Sequence, residues 1–189
     1  MSDLSDIRTD VRRMVGDFST SLVPGDIFTY VTSAVFTLSE SAVSSISAVL
    51  KNDVALADSG AYTYSSTRNQ LTVITSLTAG DTVEIQYAYY PNYTDTELNE
   101  YIKSALTQLS VNRYYTFLMD DDGEIHPDPR DTEKNLIAFI TAIIIEPENK
   151  TYRLPDLTIN VQKSMPTNDL IRKAIAIFKK NTSGVVTIL

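Results

Sequence analysis

The sequence predicts an α+β fold: a helical body with an inserted small antiparallel β-sandwich module. The body comprises an N-terminal helix, a long central helix, a buried third helix and a C-terminal helix. Apolar residues recur at three- and four-residue intervals as Leu4, Ile7, Val11 and Met14, and again from Leu98 and from Leu136 onward, the period of a helix with a buried stripe. From about Phe18 to Tyr90 the composition turns to Ser, Thr, Val and Tyr. There the period drops to two, as in Ile27-Phe28-Thr29-Tyr30-Val31 and Thr82-Val83-Glu84-Ile85-Gln86-Tyr87-Ala88-Tyr89. Pro91-Asn92 ends the alternation, and Thr94-Asp95-Thr96-Glu97 has the spacing of a capping box, which opens a helix. Residues 1–17 and 91–189 are assigned to the helical body and 18–90 to the β module.

The first helix spans about sixteen residues, with Ser2 as N-cap, Asp3 and Asp6 early, Arg12 and Arg13 late, and Gly16 just past its end. One narrow apolar stripe cannot stabilise so short a helix alone, so it must dock on a later segment or on another subunit. In the module, turn signals at Pro24-Gly25, Asn52-Asp53, Ser59-Gly60, Arg68-Asn69 and Ala79-Gly80-Asp81 separate strands near 27–31, 34–38, 45–51, 54–57, 61–64, 70–75 and 81–90. The central helix keeps its period through Leu98, Tyr101, Ile102, Ala105, Leu106, Leu109 and Val111 to about Leu118, which predicts roughly 24 residues and about 36 Å. A third helix starts at Asp131 or Thr132 and carries Leu136, Ile137, Phe139, Ile140, Ile143 and Ile144 to Glu146-Pro147. It is apolar nearly all round and is therefore buried on more than one side. Residues 148–166 read as an extended connector with one short alternation, Leu157 to Val161. The last helix follows from Thr167 or Asn168, with Ala174, Ile175 and Phe178 on its apolar face and Lys179-Lys180 at its negative end. Beyond Ser183-Gly184 lies the uncharged, β-branched tail Val185-Val186-Thr187-Ile188-Leu189, suited to adding a strand to a sheet edge of this subunit or a neighbour.

Composition removes several function classes. The chain has 189 residues and a formal charge of −8, which opposes tight non-specific nucleic-acid binding. It contains no cysteine and one histidine, so disulfides, thiolate metal sites and thiol nucleophiles are excluded and a histidine-based relay has few parts. No basic, apolar leader opens the chain, and its longest apolar run, Leu136 to Ile145, falls short of the roughly 20 residues that span a bilayer, so a soluble protein is expected.

Three clusters invite chemistry. Asp120-Asp121-Asp122-Gly123-Glu124-Ile125 resembles a calcium loop, but the register puts Leu118 at the first ligand position and Pro129 at the last, so an acidic solvated turn is the better reading. His126 lies among carboxylates without a nucleophile motif nearby, which favours a turn residue over a general base. Tyr87, Tyr89, Tyr90 and Tyr93 would form either a sugar-stacking platform or part of the module's core, and the core is the better reading. The basic pairs Arg12-Arg13 and Lys179-Lys180 are explained by helix-dipole compensation, and six scattered glycines offer no phosphate loop. No catalytic residue, metal ligand or cofactor is assigned.

The order of elements resembles the head-tail adaptor, or neck connector, proteins of tailed bacteriophages. The likeness rests on the short amphipathic N-terminal helix, on the acidic-capped helix Asp95-Thr96-Glu97-Leu98-Asn99-Glu100-Tyr101-Ile102-Lys103-Ser104-Ala105-Leu106, and on β segments similar to small modules of phage structural proteins. Those segments are Val54-Ala55-Leu56 to Tyr62, Leu71-Thr72-Val73, and Ala79-Gly80-Asp81 to Tyr87. The large β insertion departs from simpler, mainly helical adaptors. The resemblance implies a structural protein of the virion neck, assembled in the host cytoplasm as a homo-oligomeric ring of twelve copies between the portal protein and a downstream neck or tail protein. Such a ring would extend the DNA channel, and twelve copies would carry a charge of about −96, letting DNA pass without sticking. On this reading Leu98, Tyr101, Ile102, Ala105 and Leu109 form the ring-packing helix face, and Val185, Val186, Thr187, Ile188 and Leu189 contact the portal or a neighbour. The rivals are another neck or tail component, such as a tail terminator, baseplate or fibre piece, and a carbohydrate-binding module on a helical stalk.

Overall fold

The computed structural model describes residues 3–57, 60–120, 122–147, 151–153, 158–160 and 166–180, with the backbone alone at 151–153, 158–160 and 180. In chain order the elements are α1 (Asp3–Val15), β1 (Thr20–Thr29), β2 (Val35–Thr37), β3 (Val43–Lys51), β4 (Val54–Ala55), β5 (Tyr62–Ser65), β6 (Gln70–Val73), β7 (Thr82–Tyr89), α2 (Asp95–Val111), β8 (Leu118–Met119), β9 (Ile125–His126), α3 (Asp131–Ile145), β10 (Thr151–Arg153), β11 (Thr158–Asn160) and α4 (Thr167–Lys180). They form two compact units, Met1–Asp17 with Asp95–Leu189, and Phe18–Thr94.

This arrangement corrects the expected fold. A helical body with its strands confined to one β module does not describe the chain: the helical unit carries two antiparallel hairpins of its own, β8–β9 and β10–β11. The chain is α+β, with four helices and antiparallel strands in both units. The first hairpin forms because the acidic turn folds back on itself. The Asp120 amide donates to the Glu124 carbonyl at 3.0 Å, the Glu124 amide donates to Asp120 Oδ1 at 2.8 Å, and Gly123 takes a φ of 83°.

The central helix is shorter than its periodicity predicts. It has 17 residues and ends at Val111, which is 70 % exposed and off the apolar face. Arg113 adopts a left-handed φ of 53°, and the Arg113 and Tyr114 amides donate to the Ser110 and Leu109 carbonyls at 3.0 Å each. This pair of bonds closes a Schellman motif with arginine where glycine usually stands. α1 ends the same way, with Gly16 at φ 72° and the Asp17 amide on the Arg12 carbonyl at 2.9 Å.

In the helical unit α3 is the core. Leu136 through Ile143 are buried without a break, because α3 lies against α1, α2 and α4. Thr141, buried in that run, donates its hydroxyl to the Ile137 carbonyl at 2.8 Å, which removes the cost of an unpaired polar group. The Arg130 amide donates to the Glu133 carboxylate at 2.8 Å and fixes where α3 begins. The stripe Leu4, Ile7, Val11 and Met14 of α1 is buried, as are Leu170, Ile171, Ala174 and Ile175 of α4.

The second unit has two antiparallel sheets, β1-β7-β3-β4 and β2-β6-β5. Phe36, Leu71 and Val73 from the smaller sheet and Val49, Val83, Ile85 and Tyr87 from the larger share one buried cluster with Leu38. Asn52 and Asp53 turn β3 into β4 with φ values of 49° and 66°, the two-residue hairpin their side chains favour. Pro24-Gly25 is a correction: it lies inside β1, at a register shift between Leu22 and Asp26, and β1 starts at Thr20. Glycine is required there because a Cβ on Gly25 would lie 1.9 Å from the Ile85 carbonyl oxygen.

Candidate functional site

The most buried charges lie at the end of α1. Arg12 and Asp17 are 5 % and 1 % exposed, and the Arg12 guanidinium donates to the Asp17 carboxylate. Its Nη2 also donates to Asp95 Oδ1 at 2.9 Å, and Arg8 Nη1 lies 3.1 Å from Asp95 Oδ2. The chain leaves the helical unit after Asp17 and returns to it at Asp95. Arg12 therefore ties together the two points between which the second unit is inserted. Helix-dipole compensation accounts for neither Arg12, which is inside, nor Arg13, which pairs with Asp10 at 2.9 Å. The only sequence sign of this clasp is the four-residue spacing of Arg8 and Arg12 on one helix face.

On the β8–β9 hairpin, Asp120, Glu124 and His126 bring their ligand atoms within 4.8 Å of one another, and all three are exposed. His126 Nε2 lies 3.1 Å from Asp120 Oδ2. The Glu124 amide on the Asp120 carboxylate, followed by His126, lowers the Asp120 pKa below the ordinary carboxylate value. Both Asp120 oxygens are thus engaged in closing the turn, and the arrangement is that of a self-satisfied acidic hairpin.

The tyrosine run divides. Tyr87 is wholly buried in the second unit's core, where its hydroxyl donates to Asp26 Oδ2 at 2.9 Å and lies 3.0 Å from Ser39 Oγ. Burial raises its pKa. Tyr89 packs edge-on against it at 6.2 Å and is half-buried, so no flat platform of Tyr87 and Tyr89 faces solvent. Asn69, at a left-handed φ of 52°, is a hub that the sequence does not single out beyond its turn: its Nδ2 donates to the Leu38 and Glu40 carbonyls at 2.9 Å each, and its Oδ1 accepts from Tyr64 at 3.0 Å.

Of the expected ring-packing face, Leu98, Ile102, Ala105 and Leu109 are fully buried within this chain and Tyr101 is half-buried. The apolar surplus of α2 and α3 is thereby used inside the helical unit. The tail Val185–Leu189 lies outside the described residues.

Two surfaces keep apolar groups exposed. On the β2-β6-β5 sheet, Phe36, Leu71 and Val73 point to the core, so Val35, Thr37, Gln70, Thr72, Thr63 and Ser65 form the opposite face, which carries no charge. Val35 is 43 % and the flanking Ile74 58 % exposed. On the helical unit, a groove runs between α2 and β8, lined by Leu106, Thr107, Ser110, Thr116, Leu118 and Met119. No helix among the described residues is long and apolar enough to cross a membrane. A scan against protein-family models and a search of the curated proteins each return no match to this chain.

Proposed function

We propose that this protein is a virion structural component, a head-tail adaptor that assembles as a ring between portal and tail and extends the DNA channel. The observation that carries the reading is the charge-free outer face of the β2-β6-β5 sheet. A chain of net charge −8 with 21 % charged residues keeps Val35, Thr37, Thr63, Ser65, Gln70 and Thr72 together without one ionised group. Depletion of charge marks the centre of protein interfaces rather than solvated faces. A neighbouring copy, or the portal or tail protein above or below it, would cover this sheet.

The buried α2 face moves the ring contact away from Leu98, Ile102, Ala105 and Leu109 and onto the second unit. Substituting those four residues would unfold the helical unit rather than test assembly. The test is Val35→Glu combined with Thr72→Glu, which places carboxylates on the outer sheet face and spares the core. Assembly on the portal should be lost while the circular dichroism spectrum is kept. Unimpaired assembly would sink the assignment of this face. The carbohydrate-binding alternative loses its main support, because Tyr87 is in the core.

A further inference from the structure

We propose that the groove between the C-terminal half of α2 and β8 is the docking site of the chain's own uncharged segment Val185–Leu189. The first support is where α4 ends. Lys179 Nζ donates to the Arg113 carbonyl at 3.1 Å and lies 5.9 Å from the centre of the Tyr114 ring. The chain therefore leaves α4 beside the loop that joins α2 to β8, at one end of the groove.

The second support is reach. Residues 181–184 precede the apolar segment, and four residues extend to roughly 13 Å. From Val111 back to Leu106 the helix rises only about 8 Å. A linker of this length delivers the segment to the groove without strain.

Chemistry supplies the third. Residues 181–189, Asn-Thr-Ser-Gly-Val-Val-Thr-Ile-Leu, carry no charged side chain. The charged group at the groove is Lys103, which is paired with Glu100 at 2.9 Å. Leu118, 68 % exposed, offers apolar surface to Val, Ile and Leu side chains, and the Thr107, Ser110 and Thr116 hydroxyls offer partners to an extended backbone that must satisfy its own polar groups. A short tether gives an effective concentration on the order of millimolar, which favours the chain's own groove over that of another copy in dilute solution. The inference is independent of ring formation, because a monomer would dock its tail equally.

The absence of native cysteine makes the test clean. Leu118→Cys with Ile188→Cys is oxidised in dilute solution, and Val54→Cys with Ile188→Cys serves as the control for random collision. Leu118 and Val54 are each 68 % exposed, so neither substitution touches a core. The docked tail should form an intrachain disulfide about tenfold faster in the first pair than in the control, a ratio set by millimolar proximity. Equal rates would overturn docking, and products that are chiefly interchain dimers would assign the groove to a neighbour's tail and overturn the proposal as stated.

Discussion

Arg12 reaches Asp95 across 83 residues of sequence, its Nη2 donating to Oδ1 at 2.9 Å while the same guanidinium holds buried Asp17. A helical unit interrupted by a 77-residue insertion, Phe18–Thr94, must fix both ends of the interruption, and this one cation does so. Because Arg12 is buried, Arg12→Met leaves the Asp17 carboxylate inside without its countercharge. The variant should lose about 3–5 kcal/mol in denaturant unfolding. Adding Asp17→Asn should return part of that loss, and a single variant within 1 kcal/mol of the parent would show that the clasp carries little.

A second device closes the loop before β7. Asp81 accepts from the Thr78 amide, from Asn52 Nδ2 and from Lys51 Nζ, and these bonds lower its pKa from 3.8 to about 2. A depressed folded-state value means that the contribution is complete above the unfolded value near 3.8 and is lost as pH falls through about 2. Asp81→Asn should therefore be less stable than the parent at pH 5 and equal to it near pH 1.5. A stability difference that does not change over this window would refute the role of the carboxylate.

The bulge in β1 predicts a local steric failure. Gly25→Ala sets a methyl group against the Ile85 carbonyl, 1.9 Å away, so β1 must separate from β7. The expected cost is about 3 kcal/mol or more, with amide exchange rising first at residues 26–29. Unchanged exchange there would mean that the bulge relaxes freely.

The two helix ends show what the sequence discloses and what it hides. Both α1 and α2 finish in a Schellman motif, but Gly16 announces the first whereas Arg113 conceals the second. Leu118 continues the helical period by coincidence and draws the predicted helix past its real end. Arg113→Gly should stabilise the chain by about 1 kcal/mol, since glycine accepts the left-handed conformation and the bond from Lys179 uses only the backbone carbonyl. A destabilised variant would mean that the Arg113 side chain contributes more than its backbone strain costs.

The same logic divides the rest of the molecule. The stripe of α1 and the all-round apolar α3 are legible because burial follows helical period directly. The inward turn of Arg12 depends on a partner far along the chain, and local pattern cannot report that. Pro24-Gly25 carries turn chemistry that a bulge also uses, so composition alone does not separate them. The ring-packing face was assigned from apolar residues on α2 that α3 and its neighbours already cover. The charge-free sheet face becomes visible only when register brings Val35, Thr72 and Thr63 side by side.

The central claim is assembly, and solution mass tests it most directly. Light-scattering mass of the purified chain, alone and mixed with the portal protein encoded beside it, followed by negative-stain imaging, should give a closed ring of many copies, free or templated on the portal. A single-chain mass of 21.0 kDa under both conditions would contradict the account.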